Sequence, residues 1–505
     1  MASTTRYSLY TAPVGLTADL ENSLRAFAAA GPAEVREAGA RVGLLPGLSW
    51  EVRGAADRPL LHLWSEGGNL TRRVLAIEES SEARLIFTVA RFGRAKPGRL
   101  EFLRLDFEPS SRAVRRENYS VWLANVLAQK FPDEKLESLS SAADLEHSLS
   151  GNYARGVLRR GPLRWALLAV PDGESSSSAE NSLAFALLWL ERVRQTLRGG
   201  AVAGLRLILP RNSSAAVAHR LAALDSRLPV ELYEQDTGRE TLSRMDPRSA
   251  ANERTWLVPA RDAESLLAQA RPALEPLLAL SPVAPTFHPH VETREVWLRF
   301  RGLSFARWKE GRSFFGLDGA RQELSPATQP ALGKLLKRLD LYRSPQASST
   351  RHALYRAQPE RWLESLVHAD PTAVDASLHP DFLYAQVFAG SPSSRGIIDL
   401  LGVTRSGRLA ILELKATEHL QLPLQAADYW LRVRDHQLRD ELPSYGYFCG
   451  IALQPAPPLV FLVAPAIRFH PSTDTLLRFL SPEIEVRRVG LAESWRRGLR
   501  VALRQ

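Results

Sequence analysis

The sequence predicts a mixed α+β protein of several domains, and three observations lead to this expectation. The chain has 505 residues, whereas a single core stops growing near ~250–300 residues. Hydrophobic residues make up 45% and charged residues 24% of the chain, as in ordinary folded proteins. Strand-like and helix-like apolar patterns alternate in blocks along it. The expected domains are 1–115, 116–284, 285–350 and 351–505.

The first domain is predicted to be β-rich and basic. Apolar residues at helical spacing over 15–40 predict one helix, which Gly and Pro residues end. Between 49 and 107, short segments rich in β-forming residues are separated by Gly, Pro or Ser, as in antiparallel strands. Arg91 and Arg94 lie among aromatic residues and are candidates for binding nucleic acid. The alternative interpretation is a solvated strand face.

The middle of the chain is predicted to hold an α/β domain and a small basic module. Residues 118–285 alternate between helices and apolar strands, with a flexible loop at 173–181. In the module, a hairpin and a helix follow a linker near 285–290. Arg299 and Arg301 in the hairpin form a second candidate surface for phosphates, although a solvated charged face explains them equally well.

Charge and cysteine content narrow the partners and the compartment. Lys and Arg total 65 against 55 Asp and Glu, a net charge of +10, which suits a polyanion such as DNA. Cys449 is the single cysteine, so neither an intramolecular disulfide nor a thiolate zinc cluster is expected. No apolar run suits a membrane span and the N-terminus lacks a signal-peptide pattern, so we expect a cytoplasmic protein without a membrane partner.

The segment 395–416 carries the chemistry. Two apolar runs flank a Gly-containing turn, which indicates a β-hairpin. A three-residue loop ending at Gly407 places Asp399 directly opposite Glu413, and Lys415 shares their face because strand side chains alternate. Two carboxylates at this spacing repel unless a cation lies between them, and oxygen ligands suit Mg²⁺ or Mn²⁺. The alternative is a plain edge-strand ion pair.

Two predicted helices flank this hairpin. A helix beginning near Pro423 places Gln425 and Tyr429 on one face, from which they could reach the acids or a nucleotide. Upstream, an amphipathic helix carries Glu360 and Glu364 one turn apart. Glu364 is a candidate third acid for the metal, and the alternative is a solvated glutamate.

These residues resemble the PD-(D/E)XK nuclease superfamily, over about a quarter of the chain. Asp399 matches its isolated acid, Glu413-Leu414-Lys415 its Glu-x-Lys tripeptide, and the Gln425 to Tyr429 segment the Gln-xxx-Tyr motif of recombination-exonuclease nuclease domains. The helix and hairpin are also similar to archaeal and actinobacterial mismatch endonucleases, where Glu364 would be the helix acid. Ile398 replaces the usual proline.

The resemblance implies a restriction-endonuclease-like α-β-β-β-α-β core in residues 351–505. It implies that Asp399, Glu413 and the carbonyl of Leu414 hold Mg²⁺ or Mn²⁺, and that Lys415 acts on water. Arg395 is a further candidate contact to DNA. Segments within 447–480, including 447–450, would supply later strands and an extra helix.

The middle domain is interpreted as a degenerate copy of the last. Residues 152–171 parallel the hairpin segment, with Arg159 in the place of Asp399 and Leu168-Ala169-Val170 in the place of the tripeptide. Two unrelated α/β segments are the alternative.

The expected function is metal-dependent hydrolysis of phosphodiester bonds in DNA, in repair, recombination or defence. The alternative is a non-catalytic nucleic-acid-binding protein with the same fold. No Gly-x4-Gly-Lys-Ser/Thr motif occurs, so translocation would need a helicase or repair partner. A homodimer is one option, and the sequence leaves open the substrate structure and whether cutting is internal or terminal.

Overall fold

The protein is described by a computed structural model that divides into two compact units, Met1–Arg115 and Arg116–Gln505. The residues described are 16–505 except 38–39, 46, 56–57, 66–67, 82, 91–96, 105–111, 145, 173–175, 248–254, 318–320 and 392–394. Within these residues, none of the helices combines the length and the apolar character needed to cross a bilayer.

The first unit consists of one helix and an antiparallel sheet. Helix α1 spans Leu16–Ala29, and the strands are β1 (Ala33–Glu37), β2 (Ala40–Leu45), β3 (Ser49–Ala55), β4 (Arg58–Ser65), β5 (Gly68–Ser80), β6 (Arg84–Ala90) and β7 (Gly98–Arg104). Their order is β2-β1-β7-β6-β5-β4-β3. The predicted β-rich character and the helix stop at Gly31 and Pro32 are confirmed, whereas residues 33–37 of the range 15–40 form strand β1. Gly31 has a φ of 142°, which ends the helix before β1.

A six-stranded sheet forms the middle of the chain, as the α/β pattern predicted. Its helices are α2 (Arg112–Lys130), α3 (Ser176–Thr196) and α4 (Ser214–Leu221), and its strands are β8 (Lys135–Ser140), β9 (Ala154–Arg160), β10 (Leu163–Ala169), β11 (Ala201–Pro210), β12 (Val230–Asp236) and β13 (Thr241–Met245). The order is β13-β12-β11-β10-β9-β8. The loop predicted at 173–181 is helical from Ser176 onward, and 173–175 lie outside the described residues. Residues 176–181 form the first turns of α3, where polar residues are readily accommodated.

A five-stranded antiparallel sheet follows. The elements are α5 (Ala260–Leu280), β15 (Thr286–His290), β16 (Glu295–Phe300), β17 (Leu303–Lys309), β18 (Arg312–Phe315), β19 (Gln322–Glu323) and α6 (Gln329–Tyr342), with β14 (Trp256–Leu257) before them in a different sheet. The hairpin and helix are confirmed. The linker expected near 285–290 is instead strand β15, because its main chain pairs with β16 from Thr286 to His290.

The last sheet has seven strands. The elements are α7 (Ala353–Arg356), α8 (Pro359–Ala369), β20 (Leu378–Gly390), β21 (Arg395–Thr404), β22 (Leu409–Leu414), α9 (Leu422–Leu438), α10 (Glu441–Ser444), β23 (Leu459–Pro465), α11 (Thr473–Leu477), β24 (Val486–Leu491) and β25 (Val501–Arg504). The order is β14-β20-β21-β22-β23-β24-β25. The strand expected at 447–450 is a turn after α10, where Phe448 and Gly450 have positive φ angles. A β ladder does not continue through such angles.

The six- and seven-stranded sheets share one topology. The six-stranded sheet with its helices is called the middle half below. In it, β8, β9 and β10 are antiparallel to their neighbours, β10, β11 and β12 are parallel, and β13 is antiparallel to β12. Strands β20 to β25 of the seven-stranded sheet repeat that pattern in the same order, and this sheet with its helices is called the last half. Helices α3 and α9 occupy the same crossover, as do α4 and α11. The unit Arg116–Gln505 therefore contains two sheets of the same topology.

The copies differ where the chemistry was predicted. Leu168 pairs with Leu207 in the middle half, as Glu413 pairs with Leu462 in the last half, so Leu168 occupies the position of Glu413. Arg155 lies opposite Leu168. The assignment of Arg159 to the position of Asp399 is therefore wrong. Arg159 pairs with Arg164 next to the turn, and the register places Arg155 in that position, because β9 has fewer residues than β21 between its Arg-Gly dipeptide and the turn.

The two copies pack as an approximate two-fold pair. Leu224 and Leu480 form an antiparallel bridge, the N–H of Asp225 donates to Phe479 O at 2.9 Å, and the N–H of Ser481 donates to Ala223 O at 2.8 Å. Leu224 follows α4 as Leu480 follows α11. A residue that contacts its own equivalent is the signature of an isologous interface, and buried residues of both halves form one continuous core across it.

Candidate active site

The predicted hairpin register is confirmed. Strands β21 and β22 pair from Leu400 with Leu412 to Val403 with Leu409. The turn closes with a hydrogen bond from the N–H of Thr404 to Arg408 O at 2.8 Å, and Gly407 has a φ of 89°, in the left-handed region. The same register continued by one residue places Asp399 opposite Glu413.

Asp399 is fixed by the next strand. One of its carboxylate oxygens accepts a hydrogen bond from the main-chain N–H of Leu414 at 3.0 Å. This bond ties the isolated acid to the centre of the Glu413-Leu414-Lys415 tripeptide. Its other oxygen, Oδ1, faces Arg361 and Gln386, each at 3.3 Å.

Helix α8 adds the third acid. Its amphipathic pattern buries Trp362, Leu363 and Val367, and Glu364 is buried with them at 3% exposure. Glu364 Oε2 accepts from Arg361 Nη1 at 2.5 Å and from Gln386 Nε2 at 2.7 Å. Since the same two side chains also contact Asp399, the two acids share their partners. Glu364 is therefore a member of the cluster rather than a solvated glutamate.

Glu413 is the most deeply buried of these acids. Its Oε1 accepts from Lys415 Nζ at 2.8 Å, while its Oε2 is buried with no hydrogen-bond partner among the described residues. Burial, together with the charge of Asp399, raises the pKa of Glu413 to about 8. Burial also raises the pKa of Glu364 to about 7. Burial thus makes the charged form of both glutamates costly.

Lys415 is a cation in this environment. Burial opposes its charge, but Glu413 and Asp399 outweigh burial and raise its pKa above the ordinary value. Its main-chain N–H donates to Val463 O at 3.0 Å, which fixes the end of β22 beside β23.

Gln425 and Tyr429 lie behind the hairpin on one face of α9. Gln425 Nε2 donates to the Tyr429 hydroxyl at 3.2 Å. Tyr429 is buried, and burial followed by the charge of Glu413 raises its pKa to about 12. It therefore remains a neutral phenol at neutral pH. Its ring lies against Gly396 of β21, where a side chain would crowd it.

The basic residues predicted to contact nucleic acid lie in different surroundings. Arg299 is buried, and its Nη1 lies 3.7 Å from Glu364 Oε1, so it joins the acid cluster. Arg301 does not, because its guanidinium donates to Arg343 O at 2.5 Å and pairs with Asp340 at 3.5 Å. Only the main chain of Arg395 is described, at the start of β21. Arg91 and Arg94 lie outside the described residues.

The five-stranded sheet is docked onto α8 through one turn. Gly302, with a φ of 80°, lies so close to the chain that a Cβ there would collide with the main-chain carbonyl of Arg361. The Arg343 guanidinium, fully buried, donates to the carbonyls of Arg301, Leu354 and Ala357 at 2.7–3.0 Å. It also lies 4.8 Å from the ring centre of Trp362. The module around Arg299 is thus held against the acid cluster.

Two members of the cluster were not predicted from the sequence. Arg361 precedes Glu364 by three residues, a spacing that places them on one helix face and could have indicated their contact. Gln386 has a φ of 55° within β20, and this strained conformation directs its amide to both Glu364 and Asp399. Nothing in the sequence around Gln386 signals such a conformation.

The oxygen atoms of the cluster suit a hard cation such as Mg²⁺ or Mn²⁺ better than zinc. Within the described part of the chain, no three His, Cys, Asp or Glu side chains form a ready metal-binding group. Mg²⁺, however, commonly takes only one or two carboxylates and fills its remaining positions with water and phosphate oxygens. Asp399, the unpartnered oxygen of Glu413 and the carbonyl of Leu414 are oxygen donors of this kind.

Comparisons with known proteins assign no family. No protein-family profile matches the chain, and a search of curated proteins finds no significant match.

Proposed function

We propose that the protein is a metal-dependent nuclease that hydrolyses phosphodiester bonds in DNA. The observation that carries the proposal is the hairpin register, which gathers Asp399, Glu413 and Lys415 on one face, opposite Glu364 of α8. The order α8-β20-β21-β22-α9-β23 is also the α-β-β-β-α-β order expected of the PD-(D/E)XK superfamily. The net charge of +10 suits a polyanionic substrate.

Asp399, Glu413 and the Leu414 carbonyl would hold Mg²⁺ or Mn²⁺, and Glu364 would support them from α8. The bound ion would supply positive charge to the scissile phosphate and to the attacking water. Oε2 of Glu413 is buried and has no hydrogen-bond partner in the part of the chain that the structure describes. This supports the assignment, because a buried carboxylate needs a positive partner or a proton.

Lys415 is proposed to orient the attacking water rather than to take its proton. A general base must be unprotonated when it acts, whereas the two acids keep Lys415 charged. As an ammonium it donates hydrogen bonds, which suits holding a water or a phosphate oxygen in line. Tyr429 and Gln425 would support the hairpin, since Tyr429 is buried on α9 and Gln425 donates to its hydroxyl.

A non-catalytic nucleic-acid-binding protein is the second candidate, and Arg361 favours it. Its guanidinium lies 2.5 Å from Glu364 and 3.3 Å from Asp399, in a position where it neutralises both acids without a metal. In a nuclease Arg361 must turn toward a phosphate when the ion binds. In a binding protein Arg361 would keep its ion pairs with Glu364 and Asp399.

An assay of cleavage of labelled single-stranded, duplex and flap DNA, with Mg²⁺, Mn²⁺ or EDTA, distinguishes the nuclease from the binding protein. We expect metal-dependent cutting that is lost in Asp399→Asn and Lys415→Ala. Asp381→Asn and Lys334→Ala alter exposed residues away from the cluster and serve as matched controls. Salt-sensitive binding without cutting by the wild type on any substrate would support the binding protein instead.

We further propose that the protein acts in the cytoplasm, where its single cysteine would stay reduced. A helicase or repair partner would supply any translocation.

A further inference from the structure

The five-stranded sheet has one apolar face and one polar, aromatic face. On the apolar face, Val296, Leu298, Phe305 and Trp308 form a core with leucines of α5 and α6. The strand register places a row of other residues on the opposite face. From β15 to β18 that row is His288, Trp297, Arg307 and Phe314.

Guanidinium groups lie near the aromatic rings of this face, and Glu295 accepts from the indole N–H of Trp297 and pairs with Arg307. The Arg321 guanidinium lies 4.3 Å from the ring centre of Trp297, and Arg307 and Arg312 lie 5.5 Å and 5.7 Å from that of Phe314. Aromatic rings interleaved with basic groups bind unpaired nucleotides, because every base has a face for stacking and every phosphate attracts a cation.

A cleft of about 550 Å³ joins this face to the acid cluster. Its lining includes His290, Trp297, Arg299, Glu360, Arg361 and Thr417. Arg361 contacts Glu364 and Asp399, and Thr417 follows Lys415 by two residues. The volume falls within the ~300–1,000 Å³ typical of small-ligand sites, which is room enough for a nucleotide.

Arg299 points to an anionic ligand in this cleft. It is 8% exposed, and its Nε and Nη1 have no hydrogen-bond partner among the described residues. Its ion pair with Glu364, at 3.7 Å, is too long for a hydrogen bond. A buried guanidinium that lacks acceptors is costly unless a ligand supplies them.

We propose that this cleft binds unpaired nucleotides of the strand that is cut, with a base on Trp297 and a phosphate at Arg299. The proposal rests on the nuclease function and deepens it, since it names single-stranded segments as the part of the substrate that enters the site. The five-stranded sheet is then a guide that leads one strand toward Asp399 and Glu413. Single-stranded DNA and RNA share this chemistry.

Binding without cleavage tests the proposal independently of catalysis. Fluorescence anisotropy in EDTA would use a labelled single strand of about 12 nucleotides, within the ~4–16 nucleotides that one such binding surface covers. The same sequence as RNA and as duplex DNA gives two further arms. We expect Trp297→Ala to weaken binding to the single strand by roughly 10-fold, the loss of one stacked base, and binding to duplex by less than about 2-fold. Trp297→Phe, which keeps a ring, should recover most of the affinity.

A second variant tests the same surface in case Trp297→Ala fails to fold. Arg307→Gln should lower the slope of single-strand affinity against salt by roughly one counterion. Arg338→Gln, on the exposed side of α6, is the matched control and should leave the slope at the wild-type value.

The same dependence on Trp297 in DNA and RNA would support recognition of bases, and dependence in RNA alone would keep the site but count against a DNA substrate. Unchanged single-strand binding in both Trp297→Ala and Arg307→Gln, or equal losses on duplex, would overturn the proposal. Absence of cutting with Mg²⁺ while these binding effects persist would overturn the nuclease function alone.

Discussion

The ammonium of Lys415 lies 2.8 Å from one carboxylate oxygen of Glu413, two residues earlier on the same strand. The other oxygen of Glu413 is buried with no hydrogen-bond partner among the residues that the structure describes. Glu413 is therefore only half stabilised as an anion, even beside a cation. This imbalance has consequences for stability as well as for metal binding.

The metal-free protein should lose stability as pH rises, because of Glu413. Burial and Asp399 raise its folded pKa to about 8, from 4.5 in the unfolded chain, while Lys415 opposes the shift. Between these values the folded state holds a proton that the unfolded state has released, so the free energy of unfolding falls with increasing pH.

Glu413→Gln, which imitates the protonated acid, isolates this effect. In EDTA at pH 8.5 the variant should be more stable than the wild type by at least about 1 kcal/mol, since one pKa unit corresponds to ~1.4 kcal/mol. At pH 5 the two should converge. Urea unfolding at both pH values measures the difference, and equal destabilisation of the variant at both would contradict the prediction.

His288 should have the opposite pH dependence. Burial lowers its pKa well below the ordinary 6.5, and Arg299, His290, His368 and Arg361 face it and add to the shift. Below pH 6.5 the His288 imidazole is protonated in the unfolded chain but stays neutral in the folded state. The free energy of unfolding therefore decreases as pH falls. His288→Asn should reduce the loss between pH 6.5 and 5 by up to about 1.4 kcal/mol per pH unit. Parallel unfolding curves for variant and wild type across this range would show that His288 does not contribute.

Two glycines in equivalent turns test how the small sheet is docked. Gly302 and Gly311 have φ angles of 80° and 79°, but a Cβ at Gly302 meets Arg361, whereas none of the described atoms lies within 4 Å of one at Gly311. Alanine should cost about 1–2 kcal/mol at either glycine through backbone strain. At Gly302 it should cost a further ~1–3 kcal/mol through overpacking. Thermal unfolding of both variants gives the difference, and equal losses would contradict the contact.

Arg343 should be a large single contributor to stability in this region. Its guanidinium satisfies the carbonyls of Arg301, Leu354 and Ala357 inside the fold. Arg343→Met would leave them without donors, at about 1–3 kcal/mol for each unsatisfied buried group. Arg338→Met, on the exposed side of α6, is the control and should change stability by less than about 0.5 kcal/mol. Similar unfolding midpoints in urea for the two variants would argue against this role.

A nuclease with this architecture should cut one strand at a time. Of the two sheets with this topology, as far as the structure describes them, the last one alone carries the acids and the lysine, because Arg155, Leu168 and Val170 occupy the equivalent positions of the other. With Mg²⁺, supercoiled plasmid should become open circle before any linear form accumulates, and Asp399→Asn should leave it supercoiled. Linear DNA as the first product would contradict a single working site.

The predictable features were those set by neighbours in the sequence. The β21–β22 register followed from loop length and Gly407, and the face of α9 followed from the spacing of Gln425 and Tyr429. What could not be predicted depends on long-range packing. The amide of Gln386 reaches the acids only through a strained backbone conformation, and Arg343 finds its carbonyl partners on segments distant from its own helix. The error over Arg159 arose because the Arg-Gly dipeptides at 155–156 and 395–396 were aligned, whereas the strand register places Arg155 itself opposite Leu168.

The bridge between Leu224 and Leu480 joins two copies of one fold within a single chain. In a dimer of separate subunits, dilution favours dissociation, and an inactive subunit could be replaced by an active one. A covalent link removes both effects, because each half keeps its partner at a high effective concentration whatever the concentration of the protein. The middle half can thus support its neighbour although Arg155 and Leu168 occupy the positions of the two acids. The specific activity of the chain should accordingly be independent of its dilution.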